Sequence, residues 1–284
     1  MKPSLLIALC VLLLASLACT ITIPEIQIKT LKTGETQTLK INEPIPEGQS
    51  PARLEIRMGA GKLQIAGGAE GLVEGTVLYN VADWKPEIVR SNGQVILKQN
   101  RPVNAVPTED VINEWNLKLG DTPVELEVNA GAYEGKLDFS GVPLKNLTVN
   151  DGASSATIVF DRVNPVEMDK LAYKTGASNV ELTGLANANF SEMSFEGGAG
   201  SYRLDFSGQL QRDATVRIRG GVSETKIIIP QGMPCKIKIS GGLNNITTDG
   251  NWSRNNNTYE TEGEGARLTF EVEMGVGSLQ LIQK

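Results

Sequence analysis

One six-residue phrase recurs eight times along the chain: apolar, any, apolar, polar, any, glycine. Its glycines are Gly59, Gly131, Gly152, Gly176, Gly198, Gly221, Gly242 and Gly275. Five residues before them stand Leu54, Leu126, Leu147, Leu171, Met193, Val216, Ile237 and Phe270; three before stand Ile56, Val128, Val149, Tyr173, Phe195, Ile218, Ile239 and Val272. The positions two before are all polar: Arg57, Asn129, Asn150, Lys174, Glu196, Arg219, Ser240 and Glu273. Alternation resumes after the glycine, as in Val180/Leu182, Tyr202/Leu204/Phe206 and Leu279/Leu281.

Side chains that alternate with a period of two lie on opposite faces of a strand. Each repeat therefore reads as a half-buried strand, a glycine turn and a second half-buried strand. From Gly131 to Gly242 the glycines are 21, 24, 22, 23 and 21 residues apart. A steady period of this size marks stacked units, each too small to bury its own apolar face. The fold expected is an all-β, single-domain repeat β-solenoid of stacked rungs, with about eight Gly-turn repeats. An antiparallel meander or sandwich would also give regular turn signals, but identical parity in every copy favours the solenoid.

The N-terminus does not belong to this pattern. Lys2 precedes a nearly unbroken apolar run, Leu5–Leu17, too short to cross a bilayer and of the length of a secretory leader. The run closes on Ala15-Ser16-Leu17-Ala18-Cys19, which resembles a bacterial lipobox in which Cys19 is acylated. It departs from that pattern in placing Ser16 where leucine is usual. Simple cleavage after Ala18, giving a secreted protein, is the alternative. The expected organisation is a signal peptide at 1–18, a lipid-anchor tether at 19–50 with one strand near Gln37–Ile41, and a β-domain at 51–284. Within that domain 51–120 is irregular and 121–284 regular. The expected location is the extracytoplasmic side of a membrane, reached through the lipid anchor.

A net charge of −6 argues against nucleic acid and against adhesion to anionic lipid by charge alone. Of three cysteines only Cys235 lies in the folded body, so no disulfide framework exists. Its position seven before Gly242 gives it inward parity, as a buried thiol.

Leu54-Glu-Ile-Arg-Met-Gly-Ala-Gly-Lys-Leu-Gln-Ile65, followed by Glu74-Gly-Thr-Val-Leu-Tyr-Asn80 and Trp84-Lys-Pro86, resembles the N-terminal part of the toast-rack domain. Gly184-Leu-Ala-Asn-Ala-Asn-Phe190 with Gly197-Gly-Ala-Gly-Ser-Tyr-Arg-Leu-Asp-Phe-Ser-Gly208 resembles its repeating body. The likeness covers roughly residues 50–284. It implies a stack of β-rungs similar to the C-terminal domain of LiaF-type proteins and to candidate bacterial adhesins. LiaF-type proteins act in the envelope-stress response to cell-wall-active antibiotics. They carry several transmembrane helices that this sequence lacks, and the family supplies no catalytic or ligand residues to carry over.

The chain contains no histidine, which removes histidine-assisted nucleophiles and histidine metal sites. Carboxylate pairs such as Asp110/Glu114 and Glu134/Asp138 could support glycoside chemistry, but solvated charges explain them more simply. Glycine strings such as Gly197-Gly-Ala-Gly200 lack the helix and the Lys-Ser/Thr of a phosphate loop. Asp249–Glu260 spaces oxygen ligands like a calcium loop, yet places Arg254 where that loop needs glycine. No cofactor or metal is expected. The aromatics of the irregular segment, Tyr79, Trp84 and Trp115, are the candidate binding residues, or else a cap over the open end of the core. The functions expected are a non-enzymatic binding or sensing module of the envelope, with an envelope protein or a glycan as partner. An adhesin or surface spacer is the alternative, and a polysaccharide-active enzyme a distant third.

Overall fold

The computed structural model describes residues 31–100, 110–242 and 245–284. The leader, Cys19 and the start of the tether lie outside these. In chain order the strands are β1 (Gln37–Glu43), β2 (Ala52–Gly67), β3 (Val73–Tyr79), β4 (Pro86–Ser91), β5 (Gln94–Gln99) and β6 (Asn113–Leu119). Then come β7 (Val124–Asp138), β8 (Leu144–Val159), β9 (Met168–Thr183), β10 (Phe190–Asp205) and β11 (Ala214–Ile229). The last are β12 (Cys235–Gly241), β13 (Asn245–Asp249), β14 (Ser253–Asn255), β15 (Thr258–Thr261) and β16 (Leu268–Gln283). All sixteen belong to one sheet.

The long strands hold the repeated phrase at their centre, and chain length dictates their shape. A flat strand of 16 residues, such as β8, would run roughly 53 Å at ~3.3 Å per residue. The connection from β7 to β8, residues 139–143, reaches only about 20 Å at ~3.3–3.6 Å per residue. The strand must therefore double back on itself, and it does so at the glycine. In β9, Leu171, Tyr173 and Thr175 point inward before Gly176, and Ser178, Val180 and Leu182 point inward after it. Gly176 and Ala177 both face out, so the inward parity shifts by one residue at that point. The repeat glycine is thus a bend inside one continuous strand rather than the turn between two strands expected from the sequence.

β2, β7, β8, β9, β10, β11 and β16 stack in parallel, each repeat position beside its equivalent. This is the β-solenoid expected from the period. The glycines consequently form a column. A Cβ on Gly131, Gly152, Gly176, Gly198, Gly221 or Gly275 would fall under 3.0 Å from the carbonyl oxygen of the glycine one rung back. No residue with a side chain fits there.

Two features of the stack do not follow chain order. β16 lies between β11 and the β12/β13 pair, so Gly275 precedes Gly242 in space. At the other end the two arms of β2 pair with β5 and β6, which together make an outer rung without a repeat glycine. Antiparallel strands close both ends: β4 on β5, then β3 on β6 and β1 on β3, with the β15–β14 hairpin on β12. The sheet thus takes in Gln37–Glu43, within the stretch expected to be tether. Glu43 there is buried and accepts two bonds from the Arg90 guanidinium at 2.6 Å.

The interior is a file of apolar side chains from successive rungs. Tyr173 stacks on Phe195 at a centroid distance of 5.6 Å, while Tyr202 meets Phe195 edge-on at 4.9 Å and Phe206 meets Phe270 edge-on at 5.0 Å. Return loops are joined through buried asparagines. Asn164 Nδ2 donates to Leu144 O and Ala188 O, and Asn187 Nδ2 donates to Phe160 O.

The glycine column makes a direct prediction. Gly176→Ala should cost about 3 kcal/mol through backbone overlap, lowering the melting midpoint by roughly 6–12 °C for a domain of this size. Gly34→Ala, where the nearest atom is a comfortable 3.8 Å away, should stay within about 0.5 kcal/mol. Thermal denaturation of the two variants beside the parent checks both.

Candidate functional site

Because the column carries no side chains, it leaves a channel on the outer surface of the stack. Two cavities lie along it, of about 990 Å³ and about 800 Å³, and Lys174 and Thr175 line both. The first spans β2, β7, β8 and β9 beside the end of β5; the second spans β9, β10, β11, β16 and β12. Seven steps between eight glycines at ~4.8 Å make a run of roughly 34 Å.

The wall is the column of polar residues two before each glycine. Over the second cavity it is a ladder of alternating charge: Lys174 to Glu196 at 3.7 Å, Glu196 to Arg219 at 3.7 Å and Arg219 to Glu273 at 3.6 Å. These pairs are exposed, so each is worth at most ~1 kcal/mol. Sliding one strand along its neighbour would break the pattern, which helps to set the register. Over the first cavity the column runs Arg57, Asn129, Asn150 and Lys174, with two amides at its centre. Asn150 Nδ2 donates to Asn129 Oδ1 at 2.9 Å, and Asn129 Nδ2 donates to Glu55 Oε1 at 2.9 Å and Glu127 Oε1 at 2.8 Å.

Gln99 closes the column at the β5 end. Its Oε1 accepts from the Gly59 amide at 2.8 Å and from Asn113 Nδ2 at 3.1 Å. The carboxamide lies beside Gly59 where a neighbouring glycine lies in the other rungs, its Oε1 3.3 Å from the position a Cβ on Gly59 would take. Among the described residues Nε2 of the same carboxamide, also buried, has no partner.

Beneath the channel the inner corner is polar. Asp151, buried at the floor of the first cavity, accepts from Tyr173 Oη at 2.7 Å, Ser154 Oγ at 3.1 Å, Ser178 Oγ at 3.3 Å and Thr175 Oγ1. Nearby the hydroxyls of Tyr133 and Tyr202 are buried too, that of Tyr202 without a partner among the described residues. Gly197 makes room for Tyr202: a Cβ there would meet its ring and hydroxyl. Burial, with the negative charge of Asp151 adding to it, pushes the phenol pKa of Tyr133, Tyr173 and Tyr202 above the usual tyrosine value.

The aromatics singled out in the sequence lie elsewhere. Trp115 sits fully buried in β6, with Nε1 donating to Asn113 Oδ1 at 2.8 Å. Trp84 ends a short 3₁₀ turn, Ala82–Trp84, and is buried; Tyr79 is buried in β3 with its hydroxyl donating to Gln37 Oε1 at 2.7 Å. All three are buried near the β5/β6 end. Cys235 is buried as its parity indicates, and burial raises the pKa of its thiol. Asp249–Glu260 takes in β14 and most of β15, with Arg254 over the Tyr259 ring at 5.3 Å.

Of the carboxylate pairs weighed from sequence, Glu114 is bound to Lys62 at 3.0 Å, Glu134 lies 3.9 Å from Lys136, and Asp138 accepts from the Ser140 amide. Neighbouring rungs do bring Glu55, Glu127 and Asp151 to one cavity. Glycoside chemistry needs one carboxylic acid free to give a proton and a second facing the opposite side of the sugar. Glu55 is instead clamped by the Arg57 guanidinium and held by Asn129, and Asp151 is saturated by hydroxyls.

Stacked parallel rungs bent at a glycine column define a β-solenoid with a surface channel. A family model described as the N-terminal domain of toast_rack, DUF2154, matches residues 27–170 and 163–228, and the chain belongs to this toast_rack family. Among solved structures, a candidate cell adhesion protein from Clostridium sporogenes is similar at 23% identity and a TM-score of 0.47. The match covers 88% of this chain and 99% of that one. A candidate adhesin from Bacteroides fragilis is similar at 10% identity and a TM-score of 0.44, over 87% of this chain and 96% of that one. A candidate lipid binding protein from Parabacteroides distasonis follows at 10% identity and a TM-score of 0.39, over 87% and 97%. No curated protein matches.

The tyrosine corner predicts an alkaline limit to stability. The folded state holds these phenol protons above pH ~10, where an unfolded tyrosine releases them. The folded state then binds more protons than the unfolded one, so stability is fully present below about pH 10 and falls as pH rises beyond it. Tyrosinate absorbance from the buried tyrosines should appear together with loss of the β-sheet circular dichroism, in one cooperative step.

Proposed function

We propose that this protein is a non-enzymatic binding module displayed on the outer side of a bacterial membrane, tethered through an acylated Cys19, with the glycine channel as its recognition surface. The leader and lipobox-like sequence support the location. The observation that carries the binding role is the channel: a run of bare backbone across successive rungs, walled by two amides between basic residues over the first cavity and by paired charges over the second. A rigid stack suits recognition because its surface is ordered before the partner arrives, which lowers the entropic cost of binding. A tie to envelope stress is part of this reading and rests on the family likeness. The alternative, an adhesin or rigid spacer, draws on the same stiffness.

Affinity capture of the membrane-anchored protein from its own cells tests the proposal, with an Asn150→Ala/Lys174→Ala variant alongside. The expected result is an envelope component retained by the parent and lost by the variant at unchanged melting temperature. No component specific to either form would contradict it. Cys19→Ser should move the protein from the membrane to the soluble exported fraction. A deletion strain as tolerant of cell-wall-active antibiotics as its parent would remove the stress role.

A further inference from the structure

The residue after the repeat glycine also faces out, and it is apolar in rung after rung. Ala153, Ala177, Ala199, Val222 and Val276 are register partners on β8, β9, β10, β11 and β16, and all are exposed. They form a ridge along one side of the glycine column. Among the described residues the large hydrophobics left exposed are Ile45, Val222 at 62% and Val276 at 50%. The two valines stand on adjacent rungs of this ridge. An apolar ridge beside a strip of bare backbone is a surface that gains by being covered.

The charged column on the other side of the glycines selects the partner. In spatial order it reads Lys174, Glu196, Arg219 and Glu273, on β9, β10, β11 and β16. Signs that alternate over an even number of rungs meet opposite signs when the same column is read backwards. A second copy laid face to face with its stack reversed therefore sets its Glu273 against Lys174 and its Arg219 against Glu196, and the converse. The two-fold axis runs along the strands, midway between β10 and β11. The same operation seats Val222 on Ala199 and Val276 on Ala177 of the second copy, so that large side chains meet small ones. It also sets Glu224 against Ser201, the neighbours on the far side of the ridge. A slip of one rung would place Glu196 on its own counterpart and Lys174 against Arg219, like charge on like.

We propose that this protein forms a two-fold dimer in which the charged half of the channel and its apolar ridge pack, stack reversed, on the same surface of a second copy. Such an interface is isologous, one patch meeting itself. Six rungs, from β8 to β12, at ~4.8 Å by about five residues at ~3.3 Å cover on the order of 450 Å² per copy. That is roughly half of the ~800 Å² per partner in a standard interface. The dimer is accordingly weak and reversible, and its exposed charges fix orientation and register more than affinity. The inference rests on the reading of the channel as a recognition surface, and it names a second copy as the partner of the charged half.

Sedimentation equilibrium of the full-length protein in density-matched detergent tests it, together with mild oxidation of single-cysteine variants. The parent should pass from monomer to dimer as concentration rises, with its midpoint at roughly 1–100 μM. Val222→Glu puts a charge on the ridge, and Glu196→Lys puts like charge opposite Arg219 of the second copy. Each should weaken the dimer about tenfold or more at an unchanged melting temperature. Glu196→Lys/Arg219→Glu restores opposite signs across the interface while setting like charges along each ladder. It should recover most of the lost affinity, which a role within one chain would not produce. Val222→Cys, next to the axis, should form a disulfide between copies, and Ala132→Cys, more than three rungs from the axis, should not. A protein that stays monomeric up to ~1 mM, a dimer indifferent to either single charge substitution, or equal cross-linking at the two positions overturns the inference. A monomer that still retains an envelope component in the capture experiment would overturn it while leaving the binding-module reading standing.

Discussion

The close approach of backbone to backbone at the glycine column is the constraint on which the rest of the structure depends. Every long strand has to fold back within its own length, because the connections between rungs are too short to return from a flat strand. The fold-back brings each bend against the carbonyl of the bend before it, at a separation that excludes even a methyl group. Parallel pairing through both arms then follows, and with it the inward file of apolar residues and the outward file of polar ones. The channel is a by-product of the same constraint, since a column without side chains leaves space above it.

The ends of the column show what happens when the glycine repeat stops. At the β5/β6 end, where no further glycine follows, a glutamine carboxamide lies against the bend and its Oε1 accepts from the Gly59 amide. At the other end the rung is split into β12 and β13, and the C-terminal strand β16 lies between this rung and β11. Antiparallel strands then cover β5, β6 and β12, which limits the sheet edge offered to other chains.

Much of this was legible in the sequence because parity and period are local properties. The positions five and three before each glycine, from Leu54 to Val272, are buried as alternation requires. The parallel stack follows from a period of about 22 residues, too short for an independent core. Other features could not be read because they depend on spatial order. The exchange of Gly275 and Gly242 has no local signature beyond the long gap that precedes Gly275. Gln99 lies outside the repeat, so nothing in its neighbourhood marks it as the cap. The sequence leaves Tyr79, Trp84 and Trp115 open between binding residues and a cap over the core, because large aromatics in a non-repeating segment look alike whether they face a ligand or a core. The alternation of Val77 with Tyr79, and of Trp115 with Leu117, was the available sign that they point inward. The channel was invisible for the opposite reason: it is made of residues with no side chain.

In-register stacking about the glycine column is the central claim, and site-specific cross-linking tests it most directly. Ala153 and Ala177 are register partners on adjacent strands, both on the outer side of the bend. As neighbours in a sheet they fall within the Cα separation of roughly 4.4–6.8 Å that a disulfide spans. The account predicts that Ala153→Cys/Ala177→Cys forms an intrachain disulfide on mild oxidation, located by peptide mass mapping. It predicts none for Ala153→Cys/Ala199→Cys, two rungs apart at ~9.6 Å. Failure of the first pair to close, or equal closure of both, would contradict the stack.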